Sequence, residues 1–461
     1  MPRSTGLLRA ACLISAALLS VSVGAVAQRN PSSDSYRARR ERAIQAARDG
    51  ILLVRAQPTA AQEGETRFHQ NSTFYYLTGV YNAVGALLAL DTERRETWLF
   101  VPEAGRLPGF AAMMEAPYAY ITPGLQTAKE LQVDHVVPWT EFENFIDRRL
   151  REDPTIALRG PFLPEPRLHA PTTLIGQDTT TAWEMVLRSR WPNARFDRGP
   201  TIAQLRDVKD PAEIETLRRV AASSAAALRS ALSVIRPGVR KRQVEAEVMS
   251  ACVRAGAAGV SFWPWIMSGP NSDIRIALRS LVDYTFADRV MRDGELSRVD
   301  IGCSQEYYSG DVGRTVPVSG RFAPQQREAW DLFVGAYHVA ARAISPGKTP
   351  ADVKAAWQAD IARKAAGVRS DLARRFVAAA TQMPEATRFW QIHHVGLDSA
   401  EGVPDMFRPG QVVALEPMVS VEGVGFYLED MLLVTAGGTE VLTTGLPDLA
   451  DEIERAMRRG R

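Results

Sequence analysis

Residues 299–311, Val299-Asp300-Ile301-Gly302-Cys303-Ser304-Gln305-Glu306-Tyr307-Tyr308-Ser309-Gly310-Asp311, put two carboxylates into segments that otherwise read as buried strand. Val299 and Ile301 flank Asp300, and GDVGRTVPVSG around Asp311 has the Val/Thr alternation and Gly/Ser boundaries of a strand. An ionised carboxylate among apolar neighbours costs on the order of several kcal/mol unless something pairs with it. Three more groups of this kind follow: His393 in IHHVGLD, Glu416 in VVALEPMVSV and Glu429 in GFYLEDMLLVT. Five oxygen and nitrogen donors on strand-like segments predict one shared cation site.

Carboxylates with an imidazole and no thiolate suit a divalent cation such as Mn, Co, Zn or Fe. Four carboxylates exceed what a single zinc site of about four ligands uses. A pair of ions roughly 3.5–4 Å apart fits better, able to hold a hydroxide, lower its pKa and polarise a carbonyl. The chemistry implied is hydrolysis.

Working outward, residues 1–27 have the form of a secretory signal. Arg3 and Arg9 precede the apolar run Ala10 to Val23, and Ala25-Val26-Ala27 supplies a small-residue cleavage pattern. The run is short of the roughly 20 residues of a membrane span, so the expectation is an exported, periplasmic or secreted protein without stable membrane insertion. Cys12 would leave with the signal, and Cys252 and Cys303 are expected as buried free thiols. Removing Arg3 and Arg9 from 55 basic residues leaves them matched to the 53 acidic ones. That balance gives no electrostatic case for nucleic acid.

Residues 28–205 mix helix and strand: Tyr36 to Arg48 helical, GILLV, GALLALDT and ETWLFVP extended, TAKELQV and TEFENFIDRRLRE helical, TIALRG extended. This predicts an α/β domain. A second domain, residues 206–461, opens on a long helix with Asp210 as cap, Pro211 in the first position and Glu213 completing a capping box. A helix over Lys241 to Ala255, the loop SFWPWIMSGPNSD, two further helices over Gln325 to Ala343 and Pro350 to Ala366, and the ligand-bearing strands complete it.

The pattern Asp300-x10-Asp311, then His393 with Gly-Leu-Asp close behind, then LEP at Glu416 and LED at Glu429 resembles the pita-bread metallopeptidases. FHQNSTFYYLTGVYNAVGALLAL, residues 68–90, is similar to the amino-terminal domain of their Xaa-Pro aminopeptidase and prolidase branch. The resemblance covers essentially the whole mature chain. It implies an α/β (α+β) protein: a smaller N-terminal α/β domain and a C-terminal antiparallel sheet covered by helices. It implies two divalent ions, manganese foremost, and a peptide substrate with proline second. By position, Asp300 would bind one ion, Asp311 and Glu429 bridge both, and His393 and Glu416 bind the other. Glu416 and His393 would be the catalytic pair, with Glu416 accepting a proton from the nucleophilic water. Family members commonly pair or tetramerise, so a homo-oligomer is expected.

The chain departs from that family in the substrate pocket. Two histidines and an arginine of the Xaa-Pro branch correspond here to Asp283, Ala400 and Tyr427. Asp283, Tyr427 and His394 therefore become the candidates for substrate contact, although His394 also reads as a packing residue. Trp263 and Trp265 read as subsite walls or core anchors, Arg314 as partner to a metal carboxylate, His338 as a helix residue and His69 as a loop residue. Arg455, Arg458, Arg459 and Arg461 read as a solvated basic tail. The altered pocket leaves two alternatives beside an Xaa-Pro peptidase: a peptidase-inactive metal- or partner-binding protein on the same fold, and a hydrolase of another amide.

Overall fold

The computed structural model describes residues 33–58, 68–103, 121–160, 179–199, 202–381, 388–389, 392–421 and 423–459. The leader expected over residues 1–27, with Cys12, lies outside them. Among the described residues no helix is long and apolar enough to cross a membrane.

The first half is built on six strands: β1 Ile51–Arg55, β2 Leu87–Asp91, β3 Glu96–Val101, β4 His135–Pro138, β5 Ala157–Gly160 and β6 Arg195–Arg198, in the order β4-β3-β2-β1-β5-β6. Side chains alternate across a strand, so each strand feeds two cores. Ile51, Leu53, Leu87, Ala89 and Phe100 meet Phe142, Phe145 and Ile146 of the Glu141–Glu152 helix. Leu52, Val54, Leu88, Leu90 and Leu99 face the other way. Their cluster continues into Leu217 and Val220 of the long helix, Tyr308, and Val412 and Leu433 of the second half. The two halves thus share one apolar core.

The helix Pro211–Val234 begins as its sequence predicts. Asp210 accepts from the amides of Ala212 and Glu213, and its own amide donates to Glu213 Oε2 at 2.9 Å. The second half then forms a small sheet, β7 Gly259–Val260 with β10 Cys303–Gln305 and β11 Tyr308–Ser309, and a large antiparallel one. The latter holds β8 Trp265–Ser268, β9 Leu296–Ile301, β12 Val312–Pro317, β13 Arg388–Phe389, β14 Ile392–His394, β15 Val412–Leu415, β16 Met418–Val421, β17 Val424–Thr435 and β18 Gly438–Val441. β17 is its spine: one edge pairs with β12, and the other first with β16 and then with β15. Pro417 separates β15 from β16 because proline has no amide to donate to a ladder.

One face of this sheet is apolar and covered by helices. Val299, Ile301, Val312, Leu428 and Leu432 pack there against Leu228, Val248, Trp330, Phe333 and Phe376. The opposite face carries Asp300, Glu429 and their neighbours. The fold is the two-part α/β arrangement expected.

Two expectations are corrected. Cys252 and Cys303 form a disulfide, not two free thiols. The Lys241–Arg254 helix packs over the small sheet, and the two Cα atoms stand 5.4 Å apart, within bridging range. Of the closing arginines, Arg455 and Arg458 are solvated as expected but belong to the helix Ala450–Arg459, which buries Ile453 and Met457, and not to a tail. Arg461 lies outside the described residues.

Candidate metal centre

Strand register assembles the charged face. Gly313 on β12 is paired with Asp300 on β9 and with Glu429 on β17, so these three positions form one row across three adjacent strands. Trp265 on β8 extends the row beyond Asp300. Asp311, two residues before Gly313, shares its face. On the far side of β17, His393 pairs with Ala414, which pairs with Met431, again on the face of Glu429. Glu416 stands in the Pro417 break between β15 and β16. Residues up to 129 positions apart in the chain are thereby brought onto one surface.

The ligand atoms of Asp311, His393 and Glu429 lie within 4.8 Å of one another. His393 Nε2 is 3.2 Å from Glu416 Oε1, 3.8 Å from Asp311 Oδ2 and 4.0 Å from Glu429 Oε1. Its Nδ1 faces the His394 carbonyl at 3.1 Å. A carbonyl only accepts, so Nδ1 carries the hydrogen and Nε2 presents its lone pair to the carboxylates, as a ligand must. Burial lowers the His393 pKa, which keeps the ring neutral.

The carboxylates repel one another in a desolvated place. Burial, then Glu429, Asp300 and Glu416, push Asp311 well above the usual carboxylate range. Burial and the neighbouring acids do the same to Glu416 and Glu429. Asp300, half-buried, rises to about 6 through desolvation, with Arg298, the Tyr427 hydroxyl and His393 pulling the other way. Such a group needs cations. Glu429 Oε1 is buried with no hydrogen-bond partner among the described residues, a condition that costs about 1–3 kcal/mol in a finished structure. A divalent ion supplies what that oxygen and the crowded carboxylates lack and takes the Nε2 lone pair as a further donor, so the residues fit the metal that the donor set predicts.

Tyr427 is fully buried and its hydroxyl bonds to Glu429 Oε2 and, at 3.4 Å, to Glu416 Oε2. The phenol donates, because burial and the surrounding acids hold its pKa well above the ordinary value. Expected as a substrate contact, it is placed to fix two carboxylates.

The structure places the other candidates as follows. His394 lies on the opposite face of β14 from His393, fully buried, with Asp207 Oδ1 at 3.6 Å; strand alternation turns neighbouring side chains apart. Asp283 caps the short helix Tyr284–Ala287, accepting from the Phe286 amide at 2.9 Å, and pairs with Arg279 at 2.8 Å. Its carboxylate is committed to that loop. Arg314 pairs with Asp430, at 3.0 Å, on the helix-covered face, not with a carboxylate of the cluster. Trp263 is exposed, whereas Trp265 stands beside Asp300. His69 touches the Tyr307 ring edge-on, and His338 pairs with Asp448 at 2.6 Å. Ala400 is half-buried in the loop after β14. Arg298 and Gly313 also stand on the charged face, with no expectation attached to them. Their signal was present: Arg298 is two residues before Asp300 and Gly313 two after Asp311, hence each on the same face.

Residues 215–436 match the description metallopeptidase family M24, and residues 36–157 match aminopeptidase P, N-terminal domain. The Xaa-Pro aminopeptidase of Escherichia coli is 25% identical over 462 residues, covering 93% of this chain and 99% of that protein. Among solved structures, E. coli aminopeptidase P with the inhibitor Pro-Leu superposes with a TM-score of 0.72 at 24% identity, covering 94% of this chain and 100% of the other. Proline aminopeptidase P II from Yersinia pestis gives 0.71 at 24%, covering 93% and 100%. Both halves are matched in order and the predicted ligand strands lie within the second match: residues 215–436 match metallopeptidase family M24, behind a match to the aminopeptidase P N-terminal domain.

Proposed function

We propose that this protein is a metal-dependent aminopeptidase that removes the first residue from peptides with proline in the second position. The observation that supports it most is the convergence of His393 Nε2 with the carboxylates of Glu416, Asp311 and Glu429, whose Oε1 is buried with no hydrogen-bond partner among the described residues. Asp300, Asp311, His393, Glu416 and Glu429 would hold two divalent ions, with manganese the proposed native metal and cobalt, zinc or iron the alternatives. When bound, the ions polarise a carbonyl and acidify water. Glu416 would take the proton from the attacking water at a carboxylate oxygen and return it to the leaving amine, since a base must stand within hydrogen-bond reach of that water. His393 would stay neutral and orient its neighbours. Tyr427 would keep Glu416 and Glu429 turned toward the ions. Export to the periplasm or medium belongs to the same proposal. It draws on the leader pattern of residues 1–27 and on the Cys252–Cys303 bridge, since disulfides persist in oxidising compartments. A homo-oligomer is proposed on the family resemblance.

Purified protein loaded with manganese is expected to cleave an Xaa-Pro peptide, and Glu416→Ala to abolish cleavage while the fold is retained. Failure to cleave across a panel of di- and tripeptides, with metal demonstrably bound, would sink the activity. A second reading, a centre that binds metal without peptidase turnover, is favoured by Ala400 and Tyr427 standing where the resemblance places a histidine and an arginine. Introducing Ala400→His, which leaves Tyr427 on its carboxylates, separates the two. A large gain in Xaa-Pro hydrolysis marks a decayed site, and no gain marks one that works in its own way.

A further inference from the structure

Arg298 is the strongest unexplained group near the centre. It lies on β9 two residues before Asp300 and therefore on the same face, paired with Met267 on β8 and Thr315 on β12. It is almost fully buried. Its guanidinium carbon sits 5.2 Å from the centre of the Tyr427 ring and 5.3 Å from that of Trp265. Nη1 reaches Met418 Sδ at 3.4 Å, whereas Nε and Nη2 have no hydrogen-bond partner among the described residues.

Guanidinium groups are rarely left in this state, because a buried charged donor without an acceptor is strongly unfavourable. The pattern of unpaired atoms is informative. Nε and Nη2 form one edge of the planar group, and that edge takes a carboxylate through two parallel hydrogen bonds. The two aromatic rings fix the plane, so the fork is held in position before a ligand arrives. Along the next row of the sheet, Trp265 and Asp300 are only half-buried, which places the approach to Arg298 beside the proposed metal ligands. The Arg298 charge also favours the ionised forms of Asp300 and Glu416, yet neither carboxylate occupies the free edge.

We propose that Arg298, held by Trp265 and Tyr427, is a substrate-binding residue that receives a carboxylate of the bound peptide on its Nε/Nη2 edge, beside the metal centre. The inference rests on the peptidase reading given above. The carboxylate has two possible sources, the free C-terminus of a short peptide or an acidic side chain just after the scissile bond.

The test is calorimetric binding to the full-length manganese-loaded protein of three product-like probes with no residue ahead of the proline. These are Pro-Leu, with a terminal carboxylate; Pro-Leu amide, with none; and Pro-Glu amide, with a side-chain carboxylate only. The wild type is expected to bind one of the two acids about ten- to a hundredfold more tightly than Pro-Leu amide, and which acid it prefers identifies the source. Arg298→Gln is expected to erase the preference, and Arg298→Lys, which keeps the charge without the fork, to reduce it about tenfold. Manganese affinity, titrated in parallel, is expected to stay within about twofold. No preference in the wild type overturns the proposal, as does a preference that survives in Arg298→Gln. Loss of manganese from the variants with the preference intact also overturns it, because Arg298 is then only a counter-charge. If Arg298→Gln does not fold, Arg298→Lys decides. An Arg298-dependent preference in a protein that cleaves no peptide removes the peptidase reading and leaves the carboxylate site standing.

Discussion

At the scale of single residues, the centre depends on groups that turn other groups. Tyr427 donates to Glu416 and Glu429 from a fully buried position. Removing its hydroxyl leaves two carboxylates free to rotate, and partners of this kind typically contribute about 10–100-fold in metal affinity or activity. Tyr427→Phe is therefore expected to weaken manganese binding by that order in a chelator competition, with an unchanged circular dichroism spectrum. The five ligand candidates were legible from residue type and from strand-like flanks. The hydroxyl that orients them was not: a tyrosine at position 427 reads equally as core, wall or substrate contact until its oxygen is placed. His394 teaches the same lesson in reverse. It adjoins His393 in sequence, yet strand alternation sends it to the opposite face, where it is fully buried.

At the scale of elements, β9, β12 and β17 must lie close enough for Asp300 and Glu429 to flank one position. Gly313 occupies it because nothing larger fits. An added Cβ would meet the Tyr427 ring at 2.1 Å and the Val299 carbonyl at 2.8 Å. Gly313→Ala is expected to displace Tyr427 and to lower both metal affinity and activity more than stability, which parallel metal titration and urea unfolding would show. The disulfide is a second feature of elements in contact. Cys252 on a helix and Cys303 on β10 are separated by 51 residues, and closing a loop of that length is worth about 4 kcal/mol on the chain-entropy view. Cys252→Ala is expected to lower unfolding free energy by about 3–4 kcal/mol, with the difference vanishing when the wild type is unfolded in reductant. Sequence reading found the helix and the strand but not their contact, since pairing of cysteines follows from tertiary packing.

At the scale of the whole molecule, the two halves are tied by a hydrogen bond as well as by the shared apolar core, and that bond ends on a buried ion-pair network of the second half. Ser72 donates to Asp398 at 2.7 Å, Asp398 pairs with Arg206 at 2.6 Å, and Arg206 and Lys209 both hold buried Glu401, the latter at 2.7 Å. Burial alone would raise the Glu401 pKa, but the two cations outweigh it and hold the group at about 2. The folded value lies below that of an ordinary glutamate, about 4.3. The contribution is therefore fully present above about pH 4.3 and drains away as pH falls toward 2. Glu401→Gln is expected to cost about 3–5 kcal/mol at neutral pH, a gap that narrows across that acid window in denaturant titrations. A gap constant with pH would show that the charge of Glu401 is not what its pairing with Arg206 and Lys209 contributes. The hairpin tip adds a further contact, with Tyr307 stacked on Tyr75 of the first half at 4.6 Å between ring centres.

The sequence by itself determined the order of elements, the capped start of the long helix and which five side chains are candidate donors, because these follow from local chemistry: period-two alternation, caps, and charges that apolar strands do not carry without cause. Only the tertiary structure decided which faces those donors share, that Cys252 and Cys303 are bonded, and that Arg298 and Tyr427 lie one over the other beside the acids. Register between distant strands sets each of these, and register depends on the packing of the whole sheet against its helices, which no stretch of the chain carries alone.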